Sequence, residues 1–407
     1  MAAILSIVAL VLAIAIGYWR KINIGMLSIA FAAIVGLGFA EMEPKEIIGG
    51  WPLSLFFMLL AMTLLFAIAR VNGTLELVAR KVVAFTGGRR RFIPPVFFLM
   101  AGFIAAIGAG NISTCALLLP IAMAVSTEER ISPLLMATMV IAGANAGGLS
   151  PIAPTGIIGV TLVRETGLPY IGMAVFFKQI IGQSIFALLL YFLLKGHRLT
   201  NVAAGIEAPR QAFKKVHGLT MAVFAAVIGA IIFAGVNIGL AAFVGAVVLL
   251  LCKAADEEAS LRKVPWSTII LVCGVGMLVQ VADQSGGIEV MADGLKAIMN
   301  EHTAGPIIAV VGGILSIVSS ASGVVMPTLI PTVPRIVEDT GGNPTQIVAA
   351  IIMGAHVVTN SPISTLGALA VAAAGPEIDK DRLFRNMLLV GVLGLGYAAL
   401  IAFTGLV

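Results

Sequence analysis

Apolar positions dominate this chain in long runs, each closed by a short polar or glycine-rich break. In the first half the runs cover residues 2–18, 23–40, 51–70, 92–110, 131–163 and 170–194. The second half repeats the plan at 219–236, 240–253, 266–282, 305–318, 344–374 and 383–403. Most reach the roughly 18 residues that let a helix span a bilayer. Two amphipathic stretches, 74–85 and 288–299, interrupt the runs. The first ends at Gly87-Gly88 and three arginines at 89–91, flanks that suit the membrane interface.

Length arithmetic singles out the irregular segments. After 92–110 comes the polar knot Asn111, Ile112, Ser113, Thr114, followed by a short apolar arm that ends near Val125. That arm gives only roughly 18 Å of helix against a hydrocarbon core of about 30 Å. A re-entrant hairpin over about 92–126, with its tip at 111–114, satisfies both the length and the charges at its ends. Its counterpart spans about 304–334, with a knot at 319–323. Segment 131–163 has the opposite problem, because a single helix of that length would run about 50 Å. It must tilt or break, and the Gly, Ser and Pro residues between Asn145 and Pro154 supply a break. Segment 344–374 behaves alike around 359–365.

These irregularities recur in register. Ile141 to Gly156 and Ile352 to Gly367 align without a gap, and both carry Ser-Pro-Ile at the same place, Ser150-Pro151 and Ser361-Pro362. Asn145 aligns with His356, and Asn111 with Ser322. Each repeat then holds five crossing segments, an odd number, so the second enters the membrane upside down. The expected fold is an all-α polytopic membrane protein with two inverted-topology repeats. Each has five membrane-crossing segments, one of them broken mid-membrane, and one re-entrant hairpin. The repeats occupy 1–195 and 218–407, joined by an inner-side linker at 196–217.

Composition agrees. Hydrophobic residues make up 59% of the chain and charged ones 11%, far from the roughly one quarter charged of soluble domains. The net charge of +5 is too dispersed for a nucleic-acid surface. With the amino terminus outside, all Lys and Arg but Lys45, Arg164, Lys178, Lys296 and Arg335 fall on the inner side, as the positive-inside rule requires. The expectation is a multi-pass inner-membrane protein with both termini outside and a retained first helix. Cys115, Cys252 and Cys273 show no metal-ligand spacing and read as buried, reduced thiols.

Broken helices at matching points of two repeats point to a carrier's binding site. None of the four breaks contains Arg, Lys, Asp or Glu. An anionic substrate would then be held by hydroxyls, amides and half-helix amino termini, while exposed carbonyls would suit a hard cation. The expected substrate residues are Asn111, Ser113, Thr114, Ser150, Pro151, Thr155, Ser322, Asn360, Ser361 and Pro362. Sodium, the one cofactor-like species expected, would be held around Gly108, Asn111, Gly147, Ser319, Ser322 and Val358. His356, near mid-depth, is an alternative proton site or a neutral core residue. The same hydroxyls also fit plain helix packing. A passive organic-anion channel and an intramembrane Ser/His hydrolase remain as alternatives, although no Gly-x-Ser-x-Gly or His-Glu-x-x-His occurs.

Three motifs carry a family resemblance that spans nearly the whole chain. They begin at Phe66 (Phe-Ala-Ile-Ala-Arg-Val-Asn-Gly-Thr), Gly143 (Gly-Ala-Asn-Ala-Gly-Gly-Leu-Ser-Pro) and Thr359 (Thr-Asn-Ser-Pro-Ile-Ser-Thr). On them the chain resembles the ion transporter superfamily of secondary carriers, and most of all the MatC-type dicarboxylate carriers, related to the divalent anion/sodium symporters. In those symporters a Ser-Asn-Thr motif at each hairpin tip binds sodium and substrate carboxylates. Here Asn111, Ser113 and Thr114 stand at the first tip in altered order, and the second tip has no Asn. The resemblance implies uptake of a small dicarboxylate, malonate or a C4 acid, driven by a sodium or proton gradient. It also implies a homodimeric scaffold with elevator-like motion of the hairpins and broken helices.

Overall fold

The computed structural model describes residues 1–84, 89–200 and 213–407. The expected turn after the first amphipathic stretch, 85–88, and residues 201–212 of the expected linker lie outside the described residues. The chain is helical, with no strand among the described residues. Its first half runs α1 (Ala2–Arg20), α2 (Ile24–Phe39), α3 (Pro44–Gly49), α4 (Leu53–Val71), α5 (Thr74–Ala84) and α6 (Ile93–Ile104). Then come α7 (Gly110–Glu128), α8 (Pro133–Gly148), α9 (Pro154–Glu165) and α10 (Gly172–Leu193). The second half runs α11 (Lys215–Ala234), α12 (Ile238–Leu251), α13 (Glu257–Lys263), α14 (Trp266–Gln284), α15 (Gly287–Lys296) and α16 (Ala304–Val318). It ends with α17 (Met326–Leu329), α18 (Val333–Thr340), α19 (Pro344–Val357), α20 (Thr365–Ala373) and α21 (Lys380–Phe403). Among the described residues, seven helical stretches are long and apolar enough to cross a membrane. The protein is therefore an all-helical, multi-pass membrane protein.

Local chemistry explains the boundaries. Pro133, Pro154 and Pro344 stand at the first helical position, where their missing N–H breaks no bond. The Asn23 and Asn343 side chains accept from the amides of Gly25 and Thr345, capping α2 and α19. Two short helices replace stretches the apolar pattern left as loops. In α3, Glu46 reaches back to accept from the Glu43 amide at 2.8 Å, and in α13 Asp256 accepts from Ala259 N at 2.8 Å. Capping, not hydrophobic period, makes both.

The two halves interlock. The α2 helix packs on α14, and α12 packs on α4. Asn23 Nδ2 donates to Ser267 O at 2.8 Å, and Asn72 Nδ2 to Thr220 Oγ1 at 2.8 Å. A Cβ on Gly25 would overlap the Ile270 carbonyl, and one on Gly274 the Gly25 carbonyl. The α2 and α14 backbones are thus in direct contact, as small-residue interfaces permit. A second pair of close packings sits deeper: α6 lies on α8, and α16 on α19.

The stretch Arg90–Glu128 would be about 58 Å long as one helix, yet its ends meet, with Arg90 Nε 3.1 Å from Glu129 Oε2. The chain reverses at Gly108 (φ 124°) and Gly110 (φ 71°), conformations open to glycine and strained for other residues. The expected tip at 111–114 is therefore displaced: those four residues are the first turn of α7. In the second half α16 ends at Val318, Ser319 and Ser320 are extended, and a π-type turn at Ala321–Val325 leads into α17. The breaks after α8 and α19 fall where the Ser-Pro motifs stand.

Candidate functional site

The starts of α7 and α9 abut. A Cβ on Gly110 would stand 3.0 Å from Pro154 Cδ, so a larger residue there would drive the two helix ends apart. Asn111, Ser113 and Thr155 at these ends face Ser322 and Thr268 from the second half across one narrow cleft. Its free volume is about 30 Å³, room for roughly one water. No charged side chain lines it. Two helix amino termini aimed at one apolar-walled space create a positive partial charge there. The arrangement can accept a carboxylate once the space widens.

Behind the cleft runs a buried amide network. Thr155 Oγ1 donates to Asn111 Oδ1 at 3.3 Å, and the Ile112 amide to the same oxygen at 2.9 Å. Asn111 Nδ2 donates to Asn145 Oδ1 at 3.1 Å. Asn145 Nδ2 in turn donates to His356 O at 3.0 Å and to Thr359 Oγ1 at 2.9 Å. The His356 ring is fully buried, and its Nδ1 lies 2.8 Å from Ile352 O. A carbonyl only accepts, so Nδ1 carries the hydrogen. His356 Nε2, Asn360 Oδ1 and Thr114 Oγ1 have no partner among the described residues.

Of the residues expected at the site, the structure brings Asn111, Ser113, Thr155 and Ser322 to one cleft. The others stand apart from it. Thr114 is buried one position along α7. Ser150 and Pro151 form the break after α8, with the Ser150 amide donating to Gly147 O at 2.9 Å. Gly147 itself is pressed against the Gly102 carbonyl, and Gly108 lies beneath Met62 and Phe66. Ser319 Oγ turns back to Leu315 O. Val358 O accepts from the Ser361 amide at 2.8 Å. Ser361 packs against Gly391, next to the buried Pro362. The His356 carbonyl is linked to the cleft through Asn145, whereas Asn360 Nδ2 donates to Val357 O at 3.0 Å. Sequence reasoning passed over Asn145 and Thr359; the register of Asn145 with His356 was the signal that pointed to them. Cys115 and Cys273 are buried, whereas Cys252 is exposed at the end of α12, because the apolar run there faces outward from the bundle.

A wider cavity, about 600 Å³, opens between α4, α14 and the second hairpin, lined by Trp51, Gln280, Asp283, Gln284, Glu165 and Pro331 among others. It is large enough for a small organic acid.

Residues 1–148 match the family model described as the dicarboxylate carrier protein MatC N-terminus. The YdaH transporter of Alcanivorax borkumensis aligns over 88% of this chain and 86% of its own, at 15% identity and a TM-score of 0.60. MtrF of Neisseria gonorrhoeae, from a class of antimetabolite efflux pumps, aligns over 88% of this chain and 82% of its own. There the identity is 14% and the TM-score 0.58. At such identities the likeness is one of fold. No curated protein sequence matches the chain. The family match supports a membrane transporter and not an enzyme, and the two solved structures show the fold.

Proposed function

We propose that this protein is a secondary active carrier that imports a small dicarboxylate, malonate or a C4 acid, across the inner membrane. The observation that carries the reading is the cleft itself. Two helix amino termini, at Gly110 and Pro154, and the hydroxyl of Ser322 from the other half converge on it without one charged side chain. Such a site favours a carboxylate by dipoles and N–H groups and leaves part of its charge uncompensated. A co-transported cation would supply the rest, which is what favours symport in this reading. Sodium at the exposed carbonyls of the tips and a proton taken up at His356 are the two forms of that coupling. The match of residues 1–148 to a dicarboxylate carrier model supports the substrate class.

In the same reading 1–195 and 218–407 are inverted-topology repeats with both termini outside. The hairpins and broken helices move as one body against a homodimeric scaffold. The cleft is too small for a dicarboxylate in this conformation, which requires a movement of that kind to open it. Uptake of labelled malonate and succinate into proteoliposomes, under a sodium or a proton gradient imposed separately, tests the proposal. Saturable uptake accelerated by one gradient supports it. Uptake that ignores both gradients identifies a passive channel, and no saturable uptake of either acid removes the substrate class.

A further inference from the structure

Asn145 touches three of the four irregular points of the fold. It stands in the last turn of α8, just before that helix breaks. Its oxygen takes a hydrogen from Asn111 at the first reversal, and its nitrogen gives two to His356 O and Thr359 Oγ1 at the second broken helix. Asn145 is fully buried, and every one of these partners is buried as well. The amide has only one workable orientation, because His356 O can only accept. A reversed Asn145 would set oxygen against oxygen there and nitrogen against nitrogen at Asn111. Moreover, Asn145 and His356 are 211 residues apart, the register of the two halves. Two positions that match in the sequence register thus touch each other.

The consequence falls on Asn111. Its oxygen is held by Ile112 N and Thr155 Oγ1, and one of its two N–H bonds is held by Asn145. The remaining N–H is the group free for a ligand. We propose that Asn145 is the positioning residue of the binding site: by holding one N–H of Asn111, whose oxygen is held by Ile112 N and Thr155 Oγ1, it sets the direction in which the other N–H meets a substrate carboxylate. This rests on the carrier reading above and adds to it a residue that never meets the substrate. Without Asn145, the Asn111 oxygen is still held by Ile112 N and Thr155 Oγ1, but the nitrogen loses the acceptor that fixes one N–H and with it the direction of the other.

The test pairs transport with a probe that needs no substrate. Asn145→Ala should raise the KM for malonate and succinate at least tenfold while the maximal rate stays within about threefold. Thr138→Ala removes a buried hydroxyl of the same helix that bonds only Leu135 O, and should shift KM by less than threefold. In a Cys252→Ala background, Ser113→Cys beside the tip should react with N-ethylmaleimide at least fivefold faster once Asn145→Ala is added. If Asn145→Ala does not yield folded protein by size-exclusion chromatography, Asn145→Ser takes its place with the same expectations. A wild-type KM together with an unchanged labelling rate overturns the proposal. Loss of maximal rate at constant KM also overturns it, since that is a purely structural defect. If the wild-type protein takes up neither acid, the carrier reading fails on its own. The labelling rate then decides alone whether Asn145 holds the tip.

Discussion

Arg90 Nε lies 3.1 Å from Glu129 Oε2, and the two residues close opposite ends of one long apolar stretch. Both side chains are mostly buried, at 15% and 9% exposure. A straight helix would hold these ends about 58 Å apart, so the pair defines a hairpin. Arg90→Cys with Glu129→Cys, in a Cys252→Ala background, should be joined by a short bifunctional thiol crosslinker that spans the length of the two replaced side chains. Both cysteines should also react with an impermeant thiol reagent from the same membrane side. Labelling from opposite sides would mean that the stretch crosses. Arg90→Ala alone leaves a largely buried carboxylate unpaired and should lower stability by about 1–3 kcal/mol, read as a drop in Tm.

Asn111 and Ser361 should behave differently, although the sequence motifs give them similar weight. Asn111 lines the cleft, and its amide bonds Asn145, which in turn reaches the second half. Asn111→Ala should cut uptake at least tenfold, with folding intact by size-exclusion chromatography. Ser361 instead sits against Gly391, and its hydroxyl takes only a long bond from Ile363 N, 3.4 Å. Ser361→Ala should keep at least a third of the uptake. Equal losses in both variants would place the substrate over the Ser-Pro break and not at the reversal.

The helices, the Ser-Pro breaks and the register between the halves were all legible in the sequence. Long apolar runs, Pro and Gly are local signals, and a repeat doubles each of them. The position of the first reversal was less legible. Asn, Ser and Thr at 111–114 look like a turn, but the positive φ that a reversal needs falls on Gly108 and Gly110. The four polar residues then continue as a helix. Asn145 was hidden for another reason. A lone amide in an apolar run carries no signal beyond its register with His356 until the fold brings Asn111, His356 and Thr359 around it. Likewise Asn360 and Ser361 stand at a marked break in the sequence, yet neither lines the cleft: Asn360 Nδ2 bonds Val357 O and Ser361 packs against α21.

Glycines at the deep helix contacts allow no side chain. A Cβ on Gly143 would overlap the Phe98 carbonyl, and one on Gly354 the Ala309 carbonyl. These positions are equivalent in the two halves, and each lets a hairpin arm lie directly on the helix that later breaks. Gly143→Leu or Gly354→Leu must push that arm away, at a cost of about 1–3 kcal/mol or more. The yield of monodisperse protein should fall sharply for either variant. Leu at Gly38, where nothing lies within 4 Å, should be tolerated and serves as the control.

The second hairpin is tied to α15 by ions and not by close packing of glycines. Lys296 Nζ lies 2.8 Å from Asp339 Oδ1, and Arg335 Nε lies 3.6 Å from both Asp339 Oδ2 and Asp293 Oδ1. Asp339 is the shared acceptor and the least exposed member, at 19% against 44% for Lys296. Because the cations are largely in solvent, screening limits the network to about 0.5–1 kcal/mol. Asp339→Asn should therefore lower Tm by a few degrees at low ionic strength. In about 1 M salt the Debye length is only roughly 3 Å, and the difference from wild type should shrink toward zero. Arg90→Ala, whose partner is nearly buried, should keep most of its deficit in the same salt. A deficit for Asp339→Asn that persists at high salt would mean that Asp339 acts through packing and not through charge.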